Sequence, residues 1–376
     1  MRSLPSSIVL ACCGVTGILP VSAASAQSAV PAWTAGAGAV HEIYRFGDPE
    51  AAGIEQVSLT TLPFAVRTPL SHGVRLELSG AFARAALTRA DGSRSTLSGL
   101  TDTELRVLLP IARDQVTLGA VLVLPTGSAT QSGEEAEVAS VVASDLLPFR
   151  ISNWGSGGGA GVNLAVARPV GYFGVGLNAG YRATREFEPL RDDELTYRPG
   201  NEAYLRLAVD RSFGRARKAT LQVSAQRFAD DELDGRNLYR AGNRYQVIGS
   251  YAFPGGSRSG AVVYGGVLRR ENGTSLDGLQ RYPSQNLLLL GGGMRMPLGR
   301  GALLPSVDAR VFRSSDGVGQ GYVAGAGGSA EWPLGSATLV PSARLRLGRV
   351  LVADDVETGL AGVDLGFTIR FGESRR

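Results

Sequence analysis

Residues 360–371 run Leu360-Ala361-Gly362-Val363-Asp364-Leu365-Gly366-Phe367-Thr368-Ile369-Arg370-Phe371, and their order decides the kind of fold to expect. Val363, Leu365, Phe367, Ile369 and Phe371 fall on one side, and Asp364, Gly366, Thr368 and Arg370 on the other. A period of two belongs to a pleated strand; a helix, with its 3.6-residue turn, would mix the two sets. The pattern recurs upstream. Val74, Leu76 and Leu78 alternate with Arg75, Glu77 and Ser79; Leu205, Leu207 and Val209 with Arg206, Ala208 and Asp210; Ala343, Leu345 and Leu347 with Ser342, Arg344 and Arg346. A soluble sandwich with a core on one side would give the same alternation. Segment length separates the two, because tilted membrane strands need about 10 residues while soluble strands average about 5 to 6.

Working outward, segments of this kind fall at 33–44, 57–68, 73–88, 102–112, 115–124, 158–168, 172–183, 201–213, 219–229, 243–253, 260–271, 285–297, 302–313, 321–333, 337–349 and 359–371. The links between them alternate long and short, as in barrels with short periplasmic turns and long external loops. The expected fold is therefore all-β, a transmembrane antiparallel up-and-down β-barrel of about 16 strands. Fourteen is the alternative count, since the first segment is broken by Gly36 and Gly38 and carries His41-Glu42. An even count puts both termini on the periplasmic side.

Composition agrees. Glycine supplies 51 of 376 residues, well above the usual roughly 7%, and these glycines sit among short apolar stretches, as turns and tight strands require. Outside the N-terminal leader no apolar run is long enough for a membrane helix. The leader has Arg2, an apolar stretch from Ile8 to Val21 and Ala24-Ser25-Ala26 before Gln27, so residues 1–26 read as a cleaved signal peptide and 27–376 as the barrel. Cys12 and Cys13, the only cysteines, lie in that leader, which leaves no thiol or disulfide chemistry for the mature chain. The net charge of +4 comes almost wholly from arginines scattered opposite Asp and Glu, with no basic tail or nucleic-acid motif; no nucleic-acid partner is expected. His41 and His72 stand too far apart for a metal or catalytic pair. We therefore expect no enzyme, no metal and no cofactor. Asp230-Asp231-Glu232 with Asp234, and Asp192-Asp193-Glu194, read as loop charges or weak calcium ligands.

The C-terminal segment resembles the last strand of bacterial outer-membrane barrels, which often end in alternating apolar residues and a final aromatic. Phe371 matches that assembly signal, followed by the tail Gly372 to Arg376. Leu62-Pro63-Phe64, Gly99-Leu100-Thr101-Asp102-Thr103 and Leu124-Pro125-Thr126-Gly127 are similar to motifs in outer-membrane proteins of phenol-degradation pathways, relatives of hydrophobic-compound channels. The resemblance implies a cell outer-membrane location, outer-membrane lipid and the barrel-assembly machinery as partners, and passive diffusion of small solutes, small aromatic or hydrophobic compounds among them. A plugged structural or adhesive barrel without transport is the alternative. The sequence leaves the oligomeric state open.

In a barrel the polar face lines the lumen, so the pore-lining candidates are Arg75, Glu77, Arg106, Arg206, Asp210, Asp308, Arg310, Arg344, Arg346, Asp364 and Arg370, with Asn163, Gln222, Ser224 and Gln226 among the uncharged ones. Such charges either set ion preference or pair across strands and only brace the wall. The longest link, 125–157, is the third external loop, with a short helix expected at 135–147. In general porins that loop folds inward. Here Glu134, Glu135, Glu137 and Asp145 would form an acidic constriction facing wall arginines. Trp33, Trp154, Trp332, Tyr172, Phe173, Tyr204, Phe213, Tyr251, Phe253, Tyr322 and Phe371 are expected in the interfacial girdle.

Overall fold

The computed structural model describes residues 33–112, 115–214, 217–255, 259–275, 281–317, 319–353 and 356–372; the leader assigned to 1–26 lies outside them. Sixteen strands among them form the barrel: β1 (Thr34–Phe46), β2 (Ile54–Pro69), β3 (Arg75–Arg89), β4 (in two parts, Arg94–Leu100 and Thr103–Ile111), β5 (Val116–Leu124), β6 (Gly159–Val170), β7 (Phe173–Thr184), β8 (Glu202–Phe213), β9 (Arg217–Phe228), β10 (Arg244–Pro254), β11 (Gly260–Arg270), β12 (Gln285–Leu298), β13 (Gly301–Ser314), β14 (Gly321–Leu334), β15 (Ala337–Ala353) and β16 (Val356–Phe371). Each pairs antiparallel with the next. The sheet closes where β16 returns to β1, with Ala35 opposite Phe371 and Phe46 opposite Leu360, so both ends of the described chain stand at one rim.

The count is sixteen. The glycines that interrupt the apolar pattern of the first segment serve the closing seam: a side chain at Gly38 would run into Phe367 and Thr368 of β16. One link departs from the expected alternation. Residues 89–101 were expected as a long loop, but Arg94–Leu100 extends β4 upward and the connection is a tight hairpin. Gly92 takes φ +83 and Asp91 accepts from Ser93 N at 2.8 Å. The segment escapes a hydrophobicity reading because its inward positions are Ser95, Leu97 and Gly99 and its outward ones mostly polar. Between the two parts of β4 the register slips by one residue: Ser79 faces Glu104 while Phe82 faces Leu100. Thr101 and Asp102 therefore sit in a bulge, the kind of local irregularity that re-aims side chains.

The two faces settle the choice between a barrel and a soluble sandwich. Leu290, Val307, Leu345, Leu347 and Leu365 point outward and are exposed, Leu347 at 68%. The same strands turn Asp308, Arg344, Arg346 and Asp364 inward. A soluble protein does not expose an apolar surface of this extent; in hydrocarbon it is the required exterior. The band is interrupted on β1 to β4 by a polar row consecutive in register, His41, Thr60, Arg84 and Ser98. Trp332, Tyr172, Phe173, Phe213, Phe253 and Phe371 are exposed near the short-turn rim, as a girdle requires. Trp154 and Tyr204 are not part of it: Trp154 is buried in the lumen and Tyr204 faces inward.

Above the long-loop rim a small antiparallel sheet joins Tyr197–Arg198, Asp230–Leu233, Arg236–Arg240, Gly273–Ser275 and Arg281–Tyr282. Its carboxylates have structural partners: Asp230 pairs with Arg240, and Asp231 accepts from Tyr197 Oη at 2.5 Å and Gly200 N at 2.7 Å. Burial pushes the Asp231 carboxyl above the ordinary range despite those two donors. A raised folded-state value means stability that is complete below the ordinary carboxylate range and declines as pH rises through the raised one. Two outcomes are expected. Amide-exchange protection factors of 230–233 fall as pH rises through that window, and Asp231→Asn flattens the dependence. Leu345→Arg, placing a charge on the outward band, costs about 2–4 kcal/mol in urea unfolding from lipid vesicles.

Candidate functional site: the barrel lumen

Two parts build the lumen, the inward faces of the strands and the long loop 125–158. The loop turns into the barrel because its middle is apolar. Helix Gly133–Val142 starts at Ser132 with a capping box, Glu135 N donating to Ser132 Oγ at 3.3 Å and Ser132 N to Glu135 Oε2 at 2.8 Å, a device worth about 1 kcal/mol. The cap places the helix at 133–142 rather than the expected 135–147. Val138, Val142, Leu146, Leu147 and Trp154 are fully or almost fully buried. Their cluster joins Tyr44, Leu59, Ala83, Leu87 and Leu97 of β1–β4 to Phe312, Val323, Val350 and Leu360 of β13–β16. At roughly 1.5–3 kcal/mol per fully buried large apolar side chain, this segment has no stable place in external water.

Polar contacts fix its course. Trp154 Nε1 donates to Ala83 O at 3.3 Å, Arg150 N to the buried Glu42 Oε2 at 3.1 Å, and Arg310 Nη1 to Asp145 O at 3.3 Å; Phe149 meets Tyr44 edge to face at 5.0 Å. Both ends of the loop return to the bulge in β4. Asp102 Oδ1 accepts from Gly127 N at 3.1 Å, and Asp102 Oδ2 accepts from Ser156 N and Ser156 Oγ, each at 2.7 Å. Thr103 N donates to Thr126 Oγ1 at 2.9 Å, and Thr126 Oγ1 to Thr101 O at 3.0 Å. Gly127 has to be glycine, since a side chain there would overlap Trp154 O. The Thr101-Asp102-Thr103 and Thr126-Gly127 motifs, far apart in sequence, thus form one clamp.

The loop's acidic side chains do not gather against the Arg344–Arg346 wall. Glu134 accepts from Ser95 Oγ at 3.2 Å, Glu135 pairs with Arg191 at 3.1 Å and Glu137 pairs with Arg89 at the rim; Asp145 meets Arg310 through its backbone carbonyl. The wall arginines have wall partners. Arg346 bridges Asp308 at 2.9 Å and Asp364 at 2.8 Å, and Arg344 pairs with Asp308 and donates to Ser306 Oγ at 2.6 Å. Asp308 lies two strands from β15. The reach is possible because Gly325 of β14 stands between them, where a Cβ would come within 3.1 Å of Arg346 Nη1. Nearer the short-turn rim Arg370 pairs with Glu331 at 2.8 Å and Glu331 also holds Arg295; Glu77 pairs with Arg67 at 2.6 Å, and Arg106 with Glu104. Arg75 faces inward beside them.

The wall of β6–β11 is different. Its inward residues at mid-height, Asn163, Asn178, Tyr204, Gln222 and Ser224 among them, are mostly uncharged around Arg206; Arg182, Glu202, Arg244 and Arg270 face inward nearer the long-loop rim, and Lys218 holds Asp210 at 3.1 Å nearer the short-turn rim. Long side chains lie flat here over glycines of the neighbouring strand: Asn163 over Gly119, Asp210 over Gly174, Tyr204 over Gly180 and Tyr264 over Gly291. The glycines thereby leave the lumen the width that side chains would fill. Above the wall, a cavity of about 470 Å³ lies between the loop base and residues 185–191, lined by Pro125, Glu135, Arg185, Phe187 and Arg191. Arg182, Tyr264 and the glycine series were not read as lumen residues in the sequence; inward parity in the register is the signal that finds them.

No protein-family model and no curated protein matches the chain in sequence. Solved structures do match it in shape. OprB of Pseudomonas putida aligns with TM-score 0.50 and 9% identity over 91% of this chain and 94% of that one. A triple mutant of the Rhodopseudomonas blastica porin aligns with TM-score 0.41 and 14% identity over 90% and 100%, and an outer membrane channel from Pseudomonas putida F1 with TM-score 0.38 and 12% identity over 91% and 97%. Identity this low bears on the fold alone, and the OprB alignment agrees with a porin-type barrel.

The clamp gives a direct expectation. Asp102→Ala removes three hydrogen bonds to a carboxylate, each of a kind worth about 1.5–3 kcal/mol, and frees both ends of the loop while leaving the barrel wall intact. Limited proteolysis of the refolded variant should cut within 125–158 at protease levels that leave the parent chain whole; equal resistance would contradict the clamp.

Proposed function

We propose that the chain is an outer-membrane channel through which small solutes diffuse, with the loop 125–158 as its constriction. The observation that carries this reading is the combination of a closed wall that is apolar outside with an inward face on β6–β11 that is polar, partly exposed and flattened over glycines. A purely structural barrel would gain from filling that side as the loop fills the other. In this reading outer-membrane lipid surrounds the apolar band, the short-turn rim, where the described residues begin and end, faces the periplasm, and the aromatic Phe371, exposed at the end of β16, is the strand signal met by the barrel-assembly machinery. Arg75, Glu77, Arg106, Arg206, Asp210, Asp308, Arg310, Arg344, Arg346, Asp364 and Arg370 line the path or brace it. The motif resemblance puts small aromatic or hydrophobic compounds first in a solute screen.

The refolded protein, identified as a barrel by heat-modifiable gel mobility, should give steady single-channel conductance in a planar bilayer. A variant lacking 133–151 should conduct about twofold more or better, since a narrow section dominates the resistance of a pore. A heat-modifiable barrel that never conducts overturns the proposal and leaves the plugged, non-transporting barrel.

A further inference from the structure

The inserted loop divides the lumen unequally. Its apolar core rests on β1–β4 and β12–β16 with partial help from β11, and no described residue of β6–β10 belongs to it. On the uncovered side Arg206 faces inward, in register with Asn178 of β7 and Ser224 of β9, and is exposed. Its guanidinium stands 5.0 Å from the Tyr204 ring centroid. Among the described residues no carboxylate lies within ion-pair distance of it: on the same strand Asp210 is held by Lys218, and Glu202 accepts from Gln226 Nε2 at 3.0 Å. Arg346, on the covered side, is only 8% exposed and shares two carboxylates.

This asymmetry matters because a tyrosine ring holds a guanidinium without neutralising it. Arg344 and Arg346 spend their charge on Asp308 and Asp364, whereas Arg206 presents its field and its planar donor fork to the lumen water. That fork fits a carboxylate with two parallel hydrogen bonds. The Tyr204 ring beside it offers a flat apolar surface, and Gln222 and Ser224 offer donors and acceptors one strand away.

Resting on the channel reading above, we propose that the solute path runs along β6–β10 and that Arg206 is its selectivity-determining residue, favouring small organic anions that carry a carboxylate on a compact or flat body.

The test is a reversal-potential series on the refolded full-length barrel in a planar bilayer, first with a potassium chloride gradient and then with benzoate replacing chloride on one side. The parent barrel should prefer anions and pass benzoate. Arg206→Gln should lower the anion-to-cation permeability ratio by about twofold or more, and Arg206→Glu should reverse the preference, since charge at a pore wall sets ion preference. Arg84→Gln, which removes an arginine from the outer face, should leave the ratio unchanged. A conducting barrel whose reversal potential and benzoate permeability ignore both Arg206 variants overturns this proposal alone. A parent barrel that never conducts overturns the channel reading beneath it.

Discussion

The ladder between β1 and β16 is the constraint on which everything else depends. A backbone edge left open in hydrocarbon would strand N–H and C=O groups at several kcal/mol each, so a sheet in a membrane has to close. Closure here runs from Ala35 opposite Phe371 to Phe46 opposite Leu360. It requires the two strands to approach closely, and Gly38 removes the side chain that would prevent it. Once the sheet closes, every strand has one face toward lipid and one toward the lumen, and parity along the chain assigns each residue to a compartment.

The lumen then poses a second problem, because a closed barrel of sixteen strands encloses more space than its own side chains fill. The chain solves it differently on the two sides. Toward β1–β4 and β12–β16 the loop 125–158 enters as an apolar core held by Asp102, Trp154 and Glu42. Below that core, charges neutralise one another across β13, β15 and β16. Toward β6–β10 the wall is kept low, with Tyr204, Asn163 and Asp210 laid over glycines. Filled and open halves are therefore consequences of residue choice at inward positions, and Arg206, held by a tyrosine ring and by no carboxylate among the described residues, belongs to the open half.

The fold was legible because its signal is local. Val363 to Phe371 alternates without a break, and the structure carries the strand from Val356 to Phe371. What was hidden depends on partners distant in sequence. Arg94–Leu100 reads as a loop because a strand facing the rim tolerates Ser and Gly, and only its pairing with β3 reveals it. The link between Asp102 and both ends of a long loop involves three segments that no spacing rule connects. The partners of Arg344 and Arg346 depend on Gly325 of an intervening strand, which appears in the sequence as one glycine among many. The inward course expected of the loop rests on the apolar density of Val138, Val142, Leu146, Leu147 and Trp154 rather than on its acids. Nearness to strand ends places Trp154 and Tyr204 in the girdle, whereas the register of β8 turns Tyr204 inward and the loop's course buries Trp154 against Ala83.

The central claim is that β6–β10 lines water on one face and lipid on the other. It is tested most directly by placing single cysteines along 221–226 of β9, in a chain whose own cysteines are confined to Cys12 and Cys13, and measuring labelling by a membrane-impermeant thiol reagent in lipid vesicles. The account predicts rapid labelling at 222, 224 and 226 and protection at 221, 223 and 225. Uniform labelling, or protection at 222 and 224, would contradict it.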